Sequence, residues 1–124
     1  QFQRPSGIDM SEDGMLYVAD AVNHQVKVFD TNGNLLRVLG REGTGPGEFR
    51  YPYDVAVSGN VLYVLEYGNQ RVQKLGFDGK SIATFGGPGR DNGNFACPWC
   101  FETVGGSLYV SDTDNSRVVR LEAF

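Results

Sequence analysis

A single histidine, His24, serves all 124 residues, and that scarcity removes several chemistries at once. A catalytic zinc centre ordinarily takes three protein ligands, and a serine nucleophile needs a base beside it. No Gly-x-Ser-x-Gly turn occurs to present such a nucleophile. Cysteine is nearly as rare: Cys97 and Cys100 are the only two, too few for a disulfide framework, so they leave the compartment open. Apolar runs are only a few residues long, which excludes a membrane-crossing helix, and no charged-then-apolar leader precedes them. The first residue is Gln rather than Met, which fits either a removed leader or a piece of a longer chain. An excess of basic residues is missing too. With 11 Lys and Arg against 15 Asp and Glu, the net charge is −4, which argues against a nucleic-acid surface.

What the chain does have is glycine (17 residues), aromatics (12%) and hydrophobic residues (40%), the composition of a turn-rich, mostly β body. It also has a period. Tyr17, Tyr63 and Tyr109 are 46 residues apart at each step, as are Asn23, Asn69 and Asn115, and Val26, Val72 and Val118. Pro5-Ser6-Gly7-Ile8, Pro52-Tyr53-Asp54-Val55 and Pro98-Trp99-Cys100-Phe101 open the three blocks, and the step reads as unbroken. A repeat of this length made of short strands implies units that bury their apolar faces only against one another.

Each block reads as four strands. In the first, Gly7 to Met10 is a strand, Ser11-Glu12-Asp13-Gly14 a turn, and Met15 to Ala19 its return. Val26 to Phe29 alternates polar and apolar residues as a half-buried strand does. Thr31-Asn32-Gly33-Asn34 is an Asn-Gly hairpin, and Leu35 to Leu39 follows it. The second block repeats this with Val61 to Val64, Val72 to Leu75 and Ser81 to Phe85. The third shows Leu108 to Val110 and Val118 to Leu121 and lacks an outer strand. The fold class is therefore all-β, with propeller blades of four antiparallel strands in an incomplete ring. The expected blades cover about 2–48, 49–94 and 95–124. Leaving an open blade face of about 500 Å² wet forgoes roughly 12 kcal/mol, so remaining blades, a second copy or a partner protein are expected to cover the two ends.

The residues Leu16-Tyr17-Val18-Ala19-Asp20, Asn23-His24-Gln25-Val26-Lys27-Val28-Phe29-Asp30 and Leu39-Gly40 carry a pattern that resembles the NHL repeat. It returns as Leu62 to Glu66, Asn69 to Leu75 and Phe85-Gly86, and again as Leu108 to Asp112 and Asn115 to Val118. The resemblance implies a ring of six blades, of which this chain is just under half, and a binding or sensing role more often than catalysis. It points to an extracytoplasmic or cell-surface setting. Lyase relatives of the fold rely on several histidines, which this chain does not have.

Strand alternation places the turns before the three Asn residues on one rim with the long connections between blades. On it, Trp99, Tyr53, Asp54, Tyr67, Arg71 and Arg117 are the candidate binding residues, since loops on a rigid scaffold carry recognition and an exposed indole offers a large contact surface. Glu66 with Arg71 and Asp112 with Arg117 read first as local pairs that hold the turn, and otherwise as guanidinium groups free to meet an anion. Asp20 has Gln25 where an Arg is expected and needs a partner from elsewhere. Cys97 and Cys100 read as two small thiols, a local disulfide, or half of a metal or redox site completed by other residues. The glycine-rich connectors at 40–47 and 86–93 precede no helix and lack the P-loop lysine. Phe49 and Phe95, just beyond them, are expected to plug the seams between blades.

The resulting expectation is a non-catalytic propeller scaffold that binds a protein partner or ligand on this rim and needs no cofactor. The alternatives are part of a metal-dependent propeller enzyme, lyase or lactonase-like, with its ligands in other blades, and an RNA-binding module of the NHL kind, which the acidic charge disfavours.

Overall fold

The computed structural model describes residues 2–122; Gln1, Ala123 and Phe124 lie outside it, the last two at the end of the expected third blade. Strands β1 (Pro5–Met10), β2 (Leu16–Asp20), β3 (Gln25–Phe29) and β4 (Leu35–Leu39) form one antiparallel sheet in chain order. A second sheet repeats it with β5 (Pro52–Ser58), β6 (Val61–Glu66), β7 (Arg71–Gly76) and β8 (Ser81–Gly86). The third contains β9 (Pro98–Val104), β10 (Ser107–Asp112) and β11 (Arg117–Glu122) among the described residues. The first strands of successive sheets face one another, β1 on β5 and β5 on β9, so the sheets radiate as propeller blades in an open arc.

Local chemistry accounts for the turns. In the first sheet the β3–β4 hairpin turns on Gly33 (φ 84°), with the Asp30 carboxylate accepting the N–H groups of Asn32 and Asn34. A one-turn 3₁₀ helix follows β2 and β10, and its end is set by a left-handed residue, His24 or Ser116. Gln70 holds the same conformation (φ 52°) in the second sheet. One expectation needs correction. Pro5, Pro52 and Pro98 pair with Asp20, Glu66 and Asp112 respectively, so the first-strand step is 47 residues and then 46. The extra residue lies in the first hairpin, where the Ser11 to Gly14 turn replaces the tighter Gly59-Asn60 and Gly105-Gly106 turns. Because it falls in a solvent turn before the tyrosine, the spacing from β2 onward is untouched.

Two hydrophobic clusters fill the seams. Phe49 packs among Tyr17, Ala19, Val26 and Val28 of the first sheet and Val55, Leu62, Val64 and Leu75 of the second. Phe95 does the same between Tyr63, Leu65 and Val72 of the second sheet and Phe101, Leu108 and Val110 of the third. Both rings are essentially fully buried, as the sequence predicts. Each connector is folded back by a parallel bridge, Glu42 to Phe49 and Pro88 to Phe95. Gly40 (φ 83°) and Gly86 (φ 98°) make that possible, since a Cβ on either would lie 2.3 Å or 2.6 Å from the phenyl ring.

Equivalent positions show what a neighbouring sheet does. Val55 and Phe101 are buried, whereas Ile8, at the same place in the first sheet, is 62% exposed. Val26 and Val72 are buried, whereas Val118 is 69% exposed. The ring is not closed, and its two ends present apolar side chains that are buried where a neighbouring sheet is present.

Replacing Phe95 by Ala is expected to lower unfolding stability by about 3–5 kcal/mol, because it empties a seam between two sheets. Ile82→Ala, on an exposed outer strand, should change it by no more than about 0.5 kcal/mol. Denaturant titration of both variants measures the contrast.

Candidate functional site

Each second strand ends in a carboxylate with no solvent exposure: Asp20, Glu66 and Asp112. Its partners converge from three directions. The Asn three residues on donates its side-chain amide, at 2.8 Å to Asp20, 2.7 Å to Glu66 and 2.8 Å to Asp112. The segment entering the sheet donates backbone N–H, from Gln3 and Arg4 to Asp20, from Arg50 to Glu66 and from Ala96 to Asp112. A cation from the third strand completes the set. Arg71 lies 2.6 Å from Glu66 and Arg117 lies 2.7 Å from Asp112. The partner of Asp20 is Lys27, at 2.9 Å, two residues beyond Gln25 and so on the same face of β3. The position equivalent to Lys27 is Gln73, whose amide donates to Glu66 at 3.0 Å.

These bonds decide the role of the two arginines. Arg71 also donates to the carbonyls of Thr44, Gly45 and Glu48, and Arg117 to those of Arg90, Asp91 and Asn94. Their guanidinium groups are occupied in tying the connectors to the sheets. Of the six candidate residues, Arg71 and Arg117 thus stand apart from the other four in being tied to the connectors.

Trp99, Tyr53, Asp54 and Tyr67 come together. All three first strands leave register just after the proline, each by one residue: Ser6-Gly7 stand against Ala19 alone, Trp99-Cys100 against Ser111 alone, and Tyr53 is the extra residue of its ladder. Such bulges turn a side chain out of the pleat. The Tyr53 and Tyr67 rings stack at 4.6 Å, and Trp99 stands edge-on to both, at 5.2 Å and 6.1 Å. Trp99 remains 52% exposed. Arg4, Ser6, Tyr53, Asp54, Trp99 and Cys100 line a cleft of about 210 Å³ there. Ser6 donates to the Tyr53 carbonyl at 2.8 Å, joining two of the bulges directly. Arg4, whose guanidinium lies 5.9 Å from the Tyr53 ring centre, is the site residue that sequence reasoning missed. Its signal was a basic residue immediately before a repeat-opening proline.

Two carboxylates of the rim titrate in opposite directions. Burial raises the proton affinity of Asp54 above the ordinary carboxylate range and outweighs the bonds it accepts from the N–H groups of Phe101 and Val55. Burial acts in the same sense on Asp20, but the bonds from Lys27, Asn23 and two backbone N–H groups prevail and hold it at about 2. The Cys97 thiol hydrogen bonds to Tyr67 and pushes that phenol up. Cys97 and Cys100 are both free thiols. Cys97, like Tyr51, adopts a left-handed backbone, and its N–H is received by the Gln70 side chain as that of Tyr51 is by His24 Nδ1. His24 thus works as a seam acceptor. Among the described residues no three His, Cys, Asp or Glu side chains converge as a metal-ligand set, and no helix is long and apolar enough to cross a membrane.

A family model described as DUF5128, 6-bladed beta-propeller, matches residues 1–86. No curated protein matches the sequence. Among solved structures, a streptogramin B lyase superposes with a TM-score of 0.68 at 21% identity, covering 96% of this chain and 37% of that one. Hydrazine synthase of Kuenenia stuttgartiensis superposes at 0.65 and 18%, covering 97% and 36%. Virginiamycin B lyase of Staphylococcus aureus does so at 0.65 and 14%, covering 98% and 42%. The chain spans well under half the length of each, and at these identities the likeness is one of fold.

The acid-stability profile follows from Asp20. Its folded pKa lies below the ordinary 3.8, so its contribution is present above about pH 4 and is lost as pH falls towards about 2. The stability difference between the native chain and Asp20→Asn should therefore shrink across that window. Thermal unfolding followed from pH 6 to pH 2 checks it.

Proposed function

The chain belongs to the 6-bladed β-propeller family, and on that premise we propose that it is a non-catalytic binding module whose ligand sits in the cleft at the start of the first strands. Trp99 and Tyr53 supply the contact surface, Tyr67 backs it by packing on both rings, and Asp54 also lines the cleft. Arg71 and Arg117 serve indirectly, by fixing the connectors. The observation that carries the reading is the exposed indole set edge-on to a tyrosine stack. Residues brought by bulges from two blades make one aromatic surface, and aromatic faces hold rings by stacking. The groups with acid–base or nucleophilic capability around it are engaged. Asp54 accepts two backbone N–H groups, and Cys100 contacts the Ser111 hydroxyl at 3.3 Å, which favours recognition over chemistry. The Tyr-Val and Asn-x-x-Val signatures support reading the units as NHL-type blades divided at about 2–48, 49–94 and 95–124. On the same reading, other blades, a second copy or a partner protein cover the open ends.

Trp99 is the sole tryptophan of the chain, so its emission reports on the cleft directly. Ring compounds offered at millimolar concentration, benzoate, benzyl alcohol, glucuronate and glucose, are expected to shift that emission saturably, and hexanoate, which has no ring, much less. Tyr53→Ala should abolish the response. An emission spectrum unmoved by every ring compound would remove the cleft as a binding site.

A further inference from the structure

We infer that the ligand of this cleft carries a single negative charge beside its ring, as a cyclic carboxylate does, and that Arg4 is the residue that selects it. The inference rests on the cleft being the binding site and adds the chemistry of what enters. Arg41, Arg71, Arg117 and Arg120 each hold a carboxylate, Glu48, Glu66, Asp112 and Glu122. Arg4 holds none: among the described residues no carboxylate lies within 4.0 Å of its guanidinium. Its place is nevertheless fixed. The backbone N–H donates to the buried Asp20 at 3.0 Å, and the carbonyl accepts the Ala21 N–H at 3.0 Å. A rigid root thus carries an uncompensated cation to the edge of an aromatic cleft, over the ring of Tyr53.

Asp54, the one carboxylate lining the cleft, forms no ion pair with Arg4. Its two oxygens are turned to the N–H groups of Val55 and Phe101. Arg37, Arg50 and Arg90 likewise hold no carboxylate among the described residues, but none of them lines this cleft. The planar fork of a guanidinium matches a carboxylate in two parallel hydrogen bonds. No second cation lines the cleft, which suits one negative charge better than the two of a phosphate monoester. Sugar acids and aromatic acids both present a ring face next to a carboxylate, and the two sources are separable by experiment.

Titration of the Trp99 emission of the full chain with two matched pairs, benzoate against benzyl alcohol and glucuronate against glucose, tests this. The acid of at least one pair should bind about fivefold or more tightly than its neutral partner, in keeping with a charge-assisted hydrogen bond, and the pair that shows it identifies the source. Arg4→Gln should bring the members of that pair to within about twofold, and Arg4→Lys should keep a preference for the acid. Tyr53→Ala, which keeps the Trp99 emission but breaks the tyrosine stack beside it, is the control that the response arises in the cleft. Equal binding of acid and neutral partner in both pairs, or a preference that survives Arg4→Gln, would overturn the role of Arg4 while leaving the cleft a binding site. Silence from all four probes would overturn both.

Discussion

Three carboxylates without solvent exposure organise this protein. A buried charge is tolerated only where it is paired and its remaining lone pairs are satisfied, and Asp20, Glu66 and Asp112 meet that condition by drawing on three other parts of their sheets. The end of the second strand, the asparagine of the tight turn, the cation of the third strand and the segment entering the sheet are thereby fixed to one another. The pairing admits some freedom in which residue brings the cation. Lys27 reaches Asp20 from a position two residues further along than Arg71 and Arg117, and Gln73 fills the vacated polar place in the second sheet.

The same constraint reaches the cleft. The backbone N–H groups that Asp20, Glu66 and Asp112 accept belong to residues just before Pro5, Pro52 and Pro98, and the bulges follow those prolines at once. The point at which the chain leaves register is thus held by a buried ion pair on one side and by the strand ladder on the other. Phe49 and Phe95 set the spacing between sheets from the seams, and Arg71 and Arg117 pin the connectors above them. The frame around the cleft is thus held by contacts of the fold itself.

The blade was legible in the sequence because it rests on local signals: alternating residues in β3, Asn-Gly at the hairpin, and a tyrosine and valine recurring at one step. Phe49 and Phe95 were legible for the same reason. The extra residue of the first hairpin was hidden, since markers from Tyr17 onward keep their spacing while only the first strand slides. The partner of Asp20 was hidden because the substitution moves the cation two places along the strand. The aromatic cluster was visible only in part. Trp99 and Tyr53 stand out as types, but the bulges that turn them towards Tyr67, and the free guanidinium of Arg4 beside them, depend on pairing between strands that no linear spacing reports.

Ser6, Tyr53 and Trp99 occupy one backbone slot in three successive blades, and each stands outside the regular ladder of its sheet. A side chain at such a slot contributes little to the pairing within its own sheet, and its contacts run to the neighbouring blade instead. The acids and phenylalanines that hold the arc lie at other positions, in the ladders and the seams. The fold thus separates the residues that shape the cleft from those that hold the sheets together.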